Sequence, residues 1–246
     1  MGTHLVRQLL DGGARNLRVL ATSAPAWLRR RASKWCAARS LRRTMGAGCR
    51  GRARYLPPAG RVSRDRDDAH EMYDLHVNGT RLLCDAARAV GVQSMVMAST
   101  SGTIAVTENG DATPDEAWPT PLDIISRWPY YISKVYQETT ALERFGGQGR
   151  RLVIVNPSLL LGPGDARLGS TKFILDFLGR KINAVPSGGV SFVDARDAAA
   201  ALIVAMERAA MGKDICSAPP IGRSRISLPA RALNARERAA LRCPQN

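Results

Sequence analysis

A tyrosine and a lysine four residues apart are the side chains of this chain best suited to acid–base chemistry. Tyr130 and Lys134 lie in a run of good helix formers, and residues at this spacing share one face of an α-helix. A nearby ammonium group favours the phenolate, so Lys134 would lower the pKa of Tyr130 from its usual value of about 10. Tyr130 could then give and take a proton near neutral pH, which is general acid–base catalysis. The same spacing also occurs in amphipathic surface helices, so the neighbouring segments must decide between the two interpretations.

Those neighbouring segments place more polar side chains close to the pair. Residues 94–98 form an apolar run that predicts a buried strand, and the hydroxyls of Ser99, Thr100 and Ser101 follow it directly. Residues 151–155 predict a second buried strand, which ends in an Asn-Pro-Ser sequence. Ligands of open α/β sheets bind outside the carboxyl ends of the strands, so the sequence predicts a site there.

The remaining periodicity predicts alternating helices and strands. A short helix over residues 1–13 precedes a strand at 17–22, which is half of a βαβ unit without its opening strand. An apolar stripe predicts a long helix over 67–90. Further on, the pattern predicts a helix at 171–178, a turn leading into a strand at 184–194, and a helix at 195–209.

At these residues the sequence resembles the extended short-chain dehydrogenase/reductases of the NAD-dependent epimerase/dehydratase superfamily. Within them it is most similar to the branch of dihydroflavonol reductases and 3β-hydroxysteroid dehydrogenases. The matching segments are Ala98–Thr103, Pro129–Lys134, Asn156–Ser158 with Gly162–Asp165, and Phe192–Asp197. The resemblance covers about residues 60–212 well and extends plausibly over the first 22 residues.

The resemblance implies an α/β fold with a Rossmann-type doubly wound parallel sheet. Against the family pattern the chain begins inside the glycine-rich cofactor turn, so we expect a sheet without its first strand and Gly2 as the last glycine of that turn. The expected domains are a dinucleotide-binding domain at 1–165, part of a substrate region at 166–212, and a basic tail at 213–246 without family resemblance. Because the pyrophosphate of the cofactor needs that turn, we also expect weak or undetectable NAD(P)H binding, impaired catalysis and marginal stability.

The resemblance also implies the roles of individual residues. In the family pattern Tyr130, Lys134 and Thr100 are catalytic, with Ser99 and Ser101 as alternates for Thr100 and Tyr131 as the rival of Tyr130. The expected substrate residues are Ser101, Tyr131 and Trp128, and no metal site is expected. The expected cofactor-binding residues are Gly2, Thr22, Ala59, Gly60, Ser99, Lys134, Asn156, Pro157 and Ser158.

Two positions depart from the common family pattern. No acidic residue ends the strand at 17–22, and arginines follow at 29–31, which favours NADP slightly over NAD. Those arginines could equally belong to a segment unrelated to the cofactor. His76 occupies the position of the asparagine in the family's Asn-Val-x-Gly-Thr motif, and the replacement is expected to weaken a structural hydrogen bond. A lone histidine on a helix is more often a packing residue than a metal ligand.

The net charge of +15 is concentrated in two segments. Residues 28–64 carry twelve lysines or arginines and no acid, and residues 213–246 carry seven basic and two acidic side chains, so the rest of the chain is slightly acidic. The aperiodic segment at 28–58, where no strand is evident, has three interpretations: a basic arm for nucleic acid or anionic lipid, an unusual insertion, or a stretch translated out of frame. The third is favoured, because aperiodic sequence rich in Arg, Ala, Gly, Pro and Cys is typical of GC-rich codons read in a shifted frame, and it applies to the tail at 213–246 as well. The first lacks the interleaved aromatic residues of a single-strand binder, so a nucleic-acid partner is not favoured.

Composition limits the remaining possibilities. No apolar run is long enough to span a bilayer, and no signal-peptide pattern opens the chain, which indicates a cytoplasmic protein. Five cysteines without a CxxC pair indicate neither a disulfide framework nor a zinc site. The sequence therefore predicts an oxidoreductase that acts on a small hydrophobic or polyol-like substrate and could form a homodimer. The alternatives are a sugar-nucleotide epimerase or dehydratase that uses the same tyrosine, and a non-catalytic basic binding protein.

Overall fold

The computed structural model describes residues 1–15, 17–21, 34–37, 54–55, 69–108, 114–115, 118–147, 149–165, 168–182, 189–210, 223–227 and 231–233. The helices are α1 (Gly2–Asp11), α2 (Ala69–Tyr73), α3 (Gly79–Ala89), α4 (Leu122–Ile125), α5 (Pro129–Phe145), α6 (Thr171–Leu178) and α7 (Ala195–Ala210). The strands are β1 (Arg18–Ala21), β2 (Lys34–Ala37), β3 (Arg54–Tyr55), β4 (Ser94–Ala98), β5 (Arg151–Asn156), β6 (Leu159–Leu161), β7 (Val190–Asp194), β8 (Arg223–Ser227) and β9 (Arg231–Leu233). A π-helical turn at Asp74–Asn78 joins α2 to α3, and a 3₁₀ turn at Ser101–Thr103 follows β4.

The described strands form three sheets. A four-stranded parallel sheet has the order β3-β4-β5-β8, β1 pairs in parallel with β2, and β7 pairs in parallel with β6 and antiparallel with β9. In the central pair Ser94 lies opposite Arg151 and Ala98 opposite Val155, so β4 and β5 end side by side. Among the described residues no strand joins the β1-β2 sheet to the four-stranded sheet.

Apolar side chains cover both faces of the central strands. Met95 and Met97 of β4 belong to a core cluster with α3 and α5, whereas Val96 belongs to a second cluster with α1 and α7. Successive side chains of a strand point to opposite faces of the sheet, and here both faces are buried. For this reason β4 and β5 are continuous apolar runs in the sequence. Helices on both faces of a parallel sheet make the fold doubly wound and Rossmann-like, which confirms the predicted fold class.

Most predicted elements lie close to their predicted bounds. The helix at 171–178 is confirmed at both ends, and the helix expected at 195–209 extends by one residue. The prediction that residues 28–58 contain no strand is wrong, because β2 and β3 lie there; β8 and β9 lie in the segment predicted as a tail. Each of these short strands pairs with the edge of a neighbouring strand, a tertiary interaction that sequence periodicity does not record. The domain boundaries stay a prediction.

None of the helices in the described ranges is long and apolar enough to cross a membrane.

Candidate active site

A proline and the residue before it set the start of helix α5. Pro129 occupies the first helical turn, where its fixed φ is compatible with the helix and its missing N–H is not needed. Trp128 before it is extended, with φ −112° and ψ 103°, as the residue before a proline prefers. Tyr130 therefore lies in the first turn of α5 and is half-buried, and Lys134 lies one turn later and is buried.

Lys134 is held inside the protein by a chain of polar side chains. Its Nζ donates to Oε1 of Gln137 at 2.8 Å, and Nε2 of Gln137 donates to the hydroxyl of Thr80 on α3 at 2.9 Å. Burial lowers the pKa of Lys134 to about 8, and the negative charge of Glu138 opposes this shift. The ammonium group therefore loses its proton in mildly alkaline solution rather than near the usual lysine pKa.

The turn after β4 carries the predicted serine and threonine hydroxyls. Thr100 is extended, and its Oγ1 accepts a hydrogen bond from the N–H of Gly102 at 3.3 Å, which caps the 3₁₀ turn. The N–H of Ser101 donates to the carbonyl of Pro157 at 3.0 Å. This bond ties the chain just beyond β4 to the chain just beyond β5, so both strand ends contribute to one site.

Glu138 is a buried carboxylate that joins the helix to both strand ends. Its Oε1 accepts from the Ser99 hydroxyl at 2.5 Å, from the Thr103 hydroxyl at 2.8 Å and from Nδ2 of Asn156 at 2.8 Å. The same amide of Asn156 lies 3.1 Å from the carbonyl of Thr100, to which it also donates. The positions of Tyr130, Lys134 and Thr100 are thus coupled through one carboxylate.

The sequence prediction of the site does not include Glu138, although a signal for it is present. Glu138 follows Lys134 at the same four-residue spacing that separates Lys134 from Tyr130, which places all three on neighbouring turns of one helix face. A third polar residue in such a row, on a helix that packs against a sheet, indicates a buried polar contact rather than a solvated one.

An aromatic cluster packs the start of α5 onto the 3₁₀ turn. The ring of Tyr131 lies so close to Gly102 that an added Cβ would be 2.0 Å from its Cε1 atom, so only glycine fits there. The Tyr131 ring also makes edge contacts with the rings of Trp128 and Tyr130, at centroid distances of 5.6 and 5.4 Å. Trp128 is 45% exposed, so this cluster forms an aromatic wall that reaches the surface.

His76 contacts the start of α5 from the π-helical turn. Its Nδ1 lies 2.8 Å from the hydroxyl of Ser133, and its ring meets the ring of Tyr130 edge-on at 5.8 Å. Burial, together with the charge of Lys134, lowers the pKa of His76 to about 4. The sequence predicts a weakened hydrogen bond at this position, whereas the structure gives His76 a buried hydrogen bond.

The structure brings most of the predicted site residues to the carboxyl ends of β4 and β5. Ser99 and Asn156 are buried there and bonded to Glu138, so the cofactor contacts predicted for them stay predictions. Pro157 and Ser158 follow β5 and are also buried. Three predicted cofactor residues, Thr22, Ala59 and Gly60, lie outside the described residues.

The N-terminus of α1 is the place where the sequence predicts the phosphate contact of Gly2. In the described part of the chain no side chain caps this helix, and its first turn carries no acidic side chain. A Cβ added to Gly2 would meet no atom within 4 Å, so there is open space beside it. His4 in the same turn contacts the carbonyl of Pro163, which follows β6, through a 2.7 Å hydrogen bond. An uncapped helix N-terminus of this kind attracts anions through its N–H groups and its dipole.

Comparison with known proteins agrees with this architecture. The model of the NAD dependent epimerase/dehydratase family matches residues 1–216. The chain belongs to this family. The crystal structure of gox2253 superposes with a TM-score of 0.74 at 24% identity and covers 94% of this chain and 68% of its own, which supports the fold.

Two curated relatives are reductase-like or sterol-related by name. A Synechocystis sp. protein named "Putative dihydroflavonol 4-reductase" is 32% identical over 214 residues, 85% of this chain and 60% of its own. "Sterol demethylase protein B" of Methylococcus capsulatus is 31% identical over 180 residues, 70% of this chain and 52% of its own. The chain therefore spans between about half and three fifths of the length of these relatives.

Proposed function

We propose that this chain is an NAD(P)-dependent oxidoreductase that interconverts a secondary alcohol and a ketone. One observation carries the proposal: Tyr130, Lys134 and the turn that bears Thr100 meet at the carboxyl ends of β4 and β5, where Glu138 links the helix to both strand ends. Ligands of parallel α/β sheets bind at this edge. The similarity to reductases supports the same reaction class.

Each of the three residues has a distinct task in this proposal. A bound nicotinamide cofactor supplies or accepts the hydride at the substrate carbon. Tyr130 gives a proton to the ketone oxygen in reduction and takes it back in oxidation. Thr100 orients that oxygen through its hydroxyl, and Lys134 stabilises the charge on the phenolate.

Two parts of the site would hold the cofactor. Gly2 at the N-terminus of α1 would hold the pyrophosphate, and Lys134, which donates to Gln137 in this structure, would bond to the nicotinamide ribose. The preference for NADP over NAD rests on the arginines at 29–31, which lie outside the described residues. Titrating NADPH and NADH separately against the 246-residue chain measures that preference and tests the expectation of weak binding.

The substrate lies beside the aromatic wall. Trp128 and Tyr131 present apolar ring surface next to Tyr130, and Ser101 is half-buried in the turn below them. Such a wall favours a hydrophobic ketone with a planar or alicyclic body over a fully hydroxylated one.

A sugar-nucleotide epimerase or dehydratase is the second candidate, because the matching family includes both activities. An epimerase returns the hydride to its substrate, so it causes no net change in cofactor absorbance. A panel of flavanonol, steroid and sugar-nucleotide substrates separates the two. Conversion of a sugar nucleotide alone, without net cofactor turnover, favours the second candidate.

Replacing Tyr130 tests the proposed chemistry directly. Tyr130→Phe removes only the hydroxyl, and we expect turnover of every accepted substrate to fall by about 10²-fold to 10⁴-fold, the usual contribution of a general acid. Tyr136→Phe is the matched control, since Tyr136 lies on the same helix, is 52% exposed and contacts Tyr73 instead of the site. Equal turnover in the two variants would show that the tyrosine assignment is wrong.

A further inference from the structure

The π-helical turn at Asp74–Asn78 places a histidine against the helix that carries Tyr130. One extra residue in this turn shifts the register between α2 and α3, and the adjacent residues His76 and Val77 are both buried. π-helical turns within α-helices occur frequently at functional sites. Here the turn contacts the first turns of α5 through His76.

The hydrogen bonds around Ser133 determine which nitrogen of His76 carries the proton. The Ser133 hydroxyl donates its single proton to the carbonyl of Tyr130 at 2.8 Å, because a carbonyl can only accept. The contact of 2.8 Å between the same hydroxyl and Nδ1 of His76 must then be donated by the histidine. Both bonds form together only when His76 is protonated at Nδ1 and has a lone pair at Nε2.

We propose that neutral His76, protonated at Nδ1, is a positioning residue that sets the place of Tyr130 for catalysis. It acts through Ser133, whose hydroxyl holds the backbone of Tyr130, and through edge contact with the Tyr130 ring at an interplanar angle of 74°. The inference rests on the proposed function, because positioning matters only if Tyr130 transfers a proton. A misplacement of about 1 Å can lower an enzymatic rate by about 10²-fold.

The surroundings of His76 keep its imidazole neutral. The side chain is 5% exposed, and the charged group that most affects it is the ammonium of Lys134 on α5. Tyr130 faces it from the same helix, while Glu71 and Asp74 of its own helical segment are exposed. An imidazolium here would be costly to bury and would be repelled by Lys134. Asparagine would keep an N–H donor at the δ position, and leucine would fill similar space without one.

Nitrogen NMR of the whole chain tests the tautomer without relying on activity. The chain contains three histidines, so ¹⁵N-histidine labelling gives three sets of ring signals, and the set that disappears in His76→Asn belongs to His76. We expect a protonated Nδ1 and an unprotonated Nε2 from pH 8 down to pH 5. A protonated Nε2, or a doubly protonated ring at pH 6, would overturn the proposal.

Kinetics of two His76 variants tests the positioning role. We expect His76→Leu to lower kcat by about 10-fold to 10²-fold with KM changed less than about 3-fold, and His76→Asn to restore most of kcat. Ser133→Ala should also lower kcat, and the double variant should lose less than the product of the two single losses, because both variants remove the bond between His76 and Ser133. Full kcat in a folded His76→Leu variant would overturn the proposal.

The Tyr130→Phe variant separates failure of this inference from failure of the proposed function. If Tyr130→Phe keeps full turnover, the proposed function fails and the positioning role fails with it. If Tyr130→Phe is inactive while His76→Leu is fully active, only the role of His76 is wrong. A cooperative thermal melt for each variant establishes that folding is retained.

Discussion

Replacing Lys134 with methionine should stabilise the protein while removing its activity. The side chain lies almost fully inside the protein, and its charge is kept there against the cost of burial. Methionine has a similar length and no charge, so it fills the same space without that cost. Proteins are often less stable with the residue that their active site needs than with another residue that the fold would accept at that position.

The lowered pKa of Lys134 gives the size of the change in unfolding free energy. A pKa of about 8 instead of 10.5 means that holding the charged form in the folded protein costs on the order of 3 kcal/mol. The variant loses the 2.8 Å bond to Gln137 and leaves that amide oxygen without its donor, which costs about 1–3 kcal/mol. We therefore expect Lys134→Met to be more stable than the wild type at pH 7 by roughly 0–2 kcal/mol.

The pH dependence of the unfolding free energy separates the cost of the buried charge from the cost of the lost hydrogen bond. Between pH 8 and 10.5 the unfolded chain keeps a proton on Lys134 that the folded chain has released, so the unfolding free energy of the wild type rises with pH. Below pH 8 both states are protonated and the penalty is constant. The advantage of Lys134→Met should therefore shrink by on the order of 3 kcal/mol across this window.

Urea unfolding at a series of pH values, followed by tryptophan fluorescence, measures this difference. Groups that titrate equally in both proteins cancel when the variant is subtracted from the wild type. Lys172→Met is the control for removing a lysine at the surface, because the Lys172 side chain is 65% exposed and pairs with Asp176 on its own helix. If the difference in unfolding free energy between Lys134→Met and the wild type does not change between pH 8 and 10.5, the buried charge inferred for Lys134 is refuted.

Two further substitutions test the contacts that hold the site together. Glu138→Ala removes the acceptor of three buried donors, of which Thr103 and Asn156 still have the Thr100 carbonyl, so the unfolding free energy should fall by about 1–3 kcal/mol. Glu138→Gln keeps an acceptor and should cost less; equal losses in urea unfolding would contradict the role of the carboxylate. Gly102→Ala places a Cβ 2.0 Å from the Tyr131 ring and should lower the unfolding free energy by about 1–3 kcal/mol. The loss should be smaller when Tyr131 is replaced by leucine. An unchanged unfolding free energy in Gly102→Ala would show that the ring moves freely.

The parts of the site that the sequence predicts are those that local spacing determines. Tyr130 and Lys134 share a helix face because of helical periodicity, and counting from the last apolar residue of β4 reaches Thr100. The helix at Thr171–Leu178 follows from the same kind of pattern. These predictions need no knowledge of which elements are neighbours in space.

Contacts between distant segments are the parts that the sequence does not predict. The bond between His76 and Ser133 joins residues 57 positions apart, and nothing in the local pattern of either segment indicates it. Strands β2 and β3 are short, and each is defined by the strand beside it instead of by an alternating pattern. Glu138 is an intermediate case, since the sequence shows its four-residue spacing from Lys134 but does not indicate its three hydrogen-bond partners.

Isotope transfer from the cofactor tests the central claim most directly. The 246-residue chain is incubated with NADPH or NADH that carries deuterium at both hydrogens of nicotinamide C4, at high concentration because weak binding is expected. Flavanonol and steroid ketones are offered as substrates, and the product is analysed by mass spectrometry. The proposed function predicts an alcohol with deuterium on its carbinol carbon, formed by the wild type and by Tyr136→Phe and strongly reduced in Tyr130→Phe. An unlabelled product, or equal labelling with Tyr130→Phe, would contradict it.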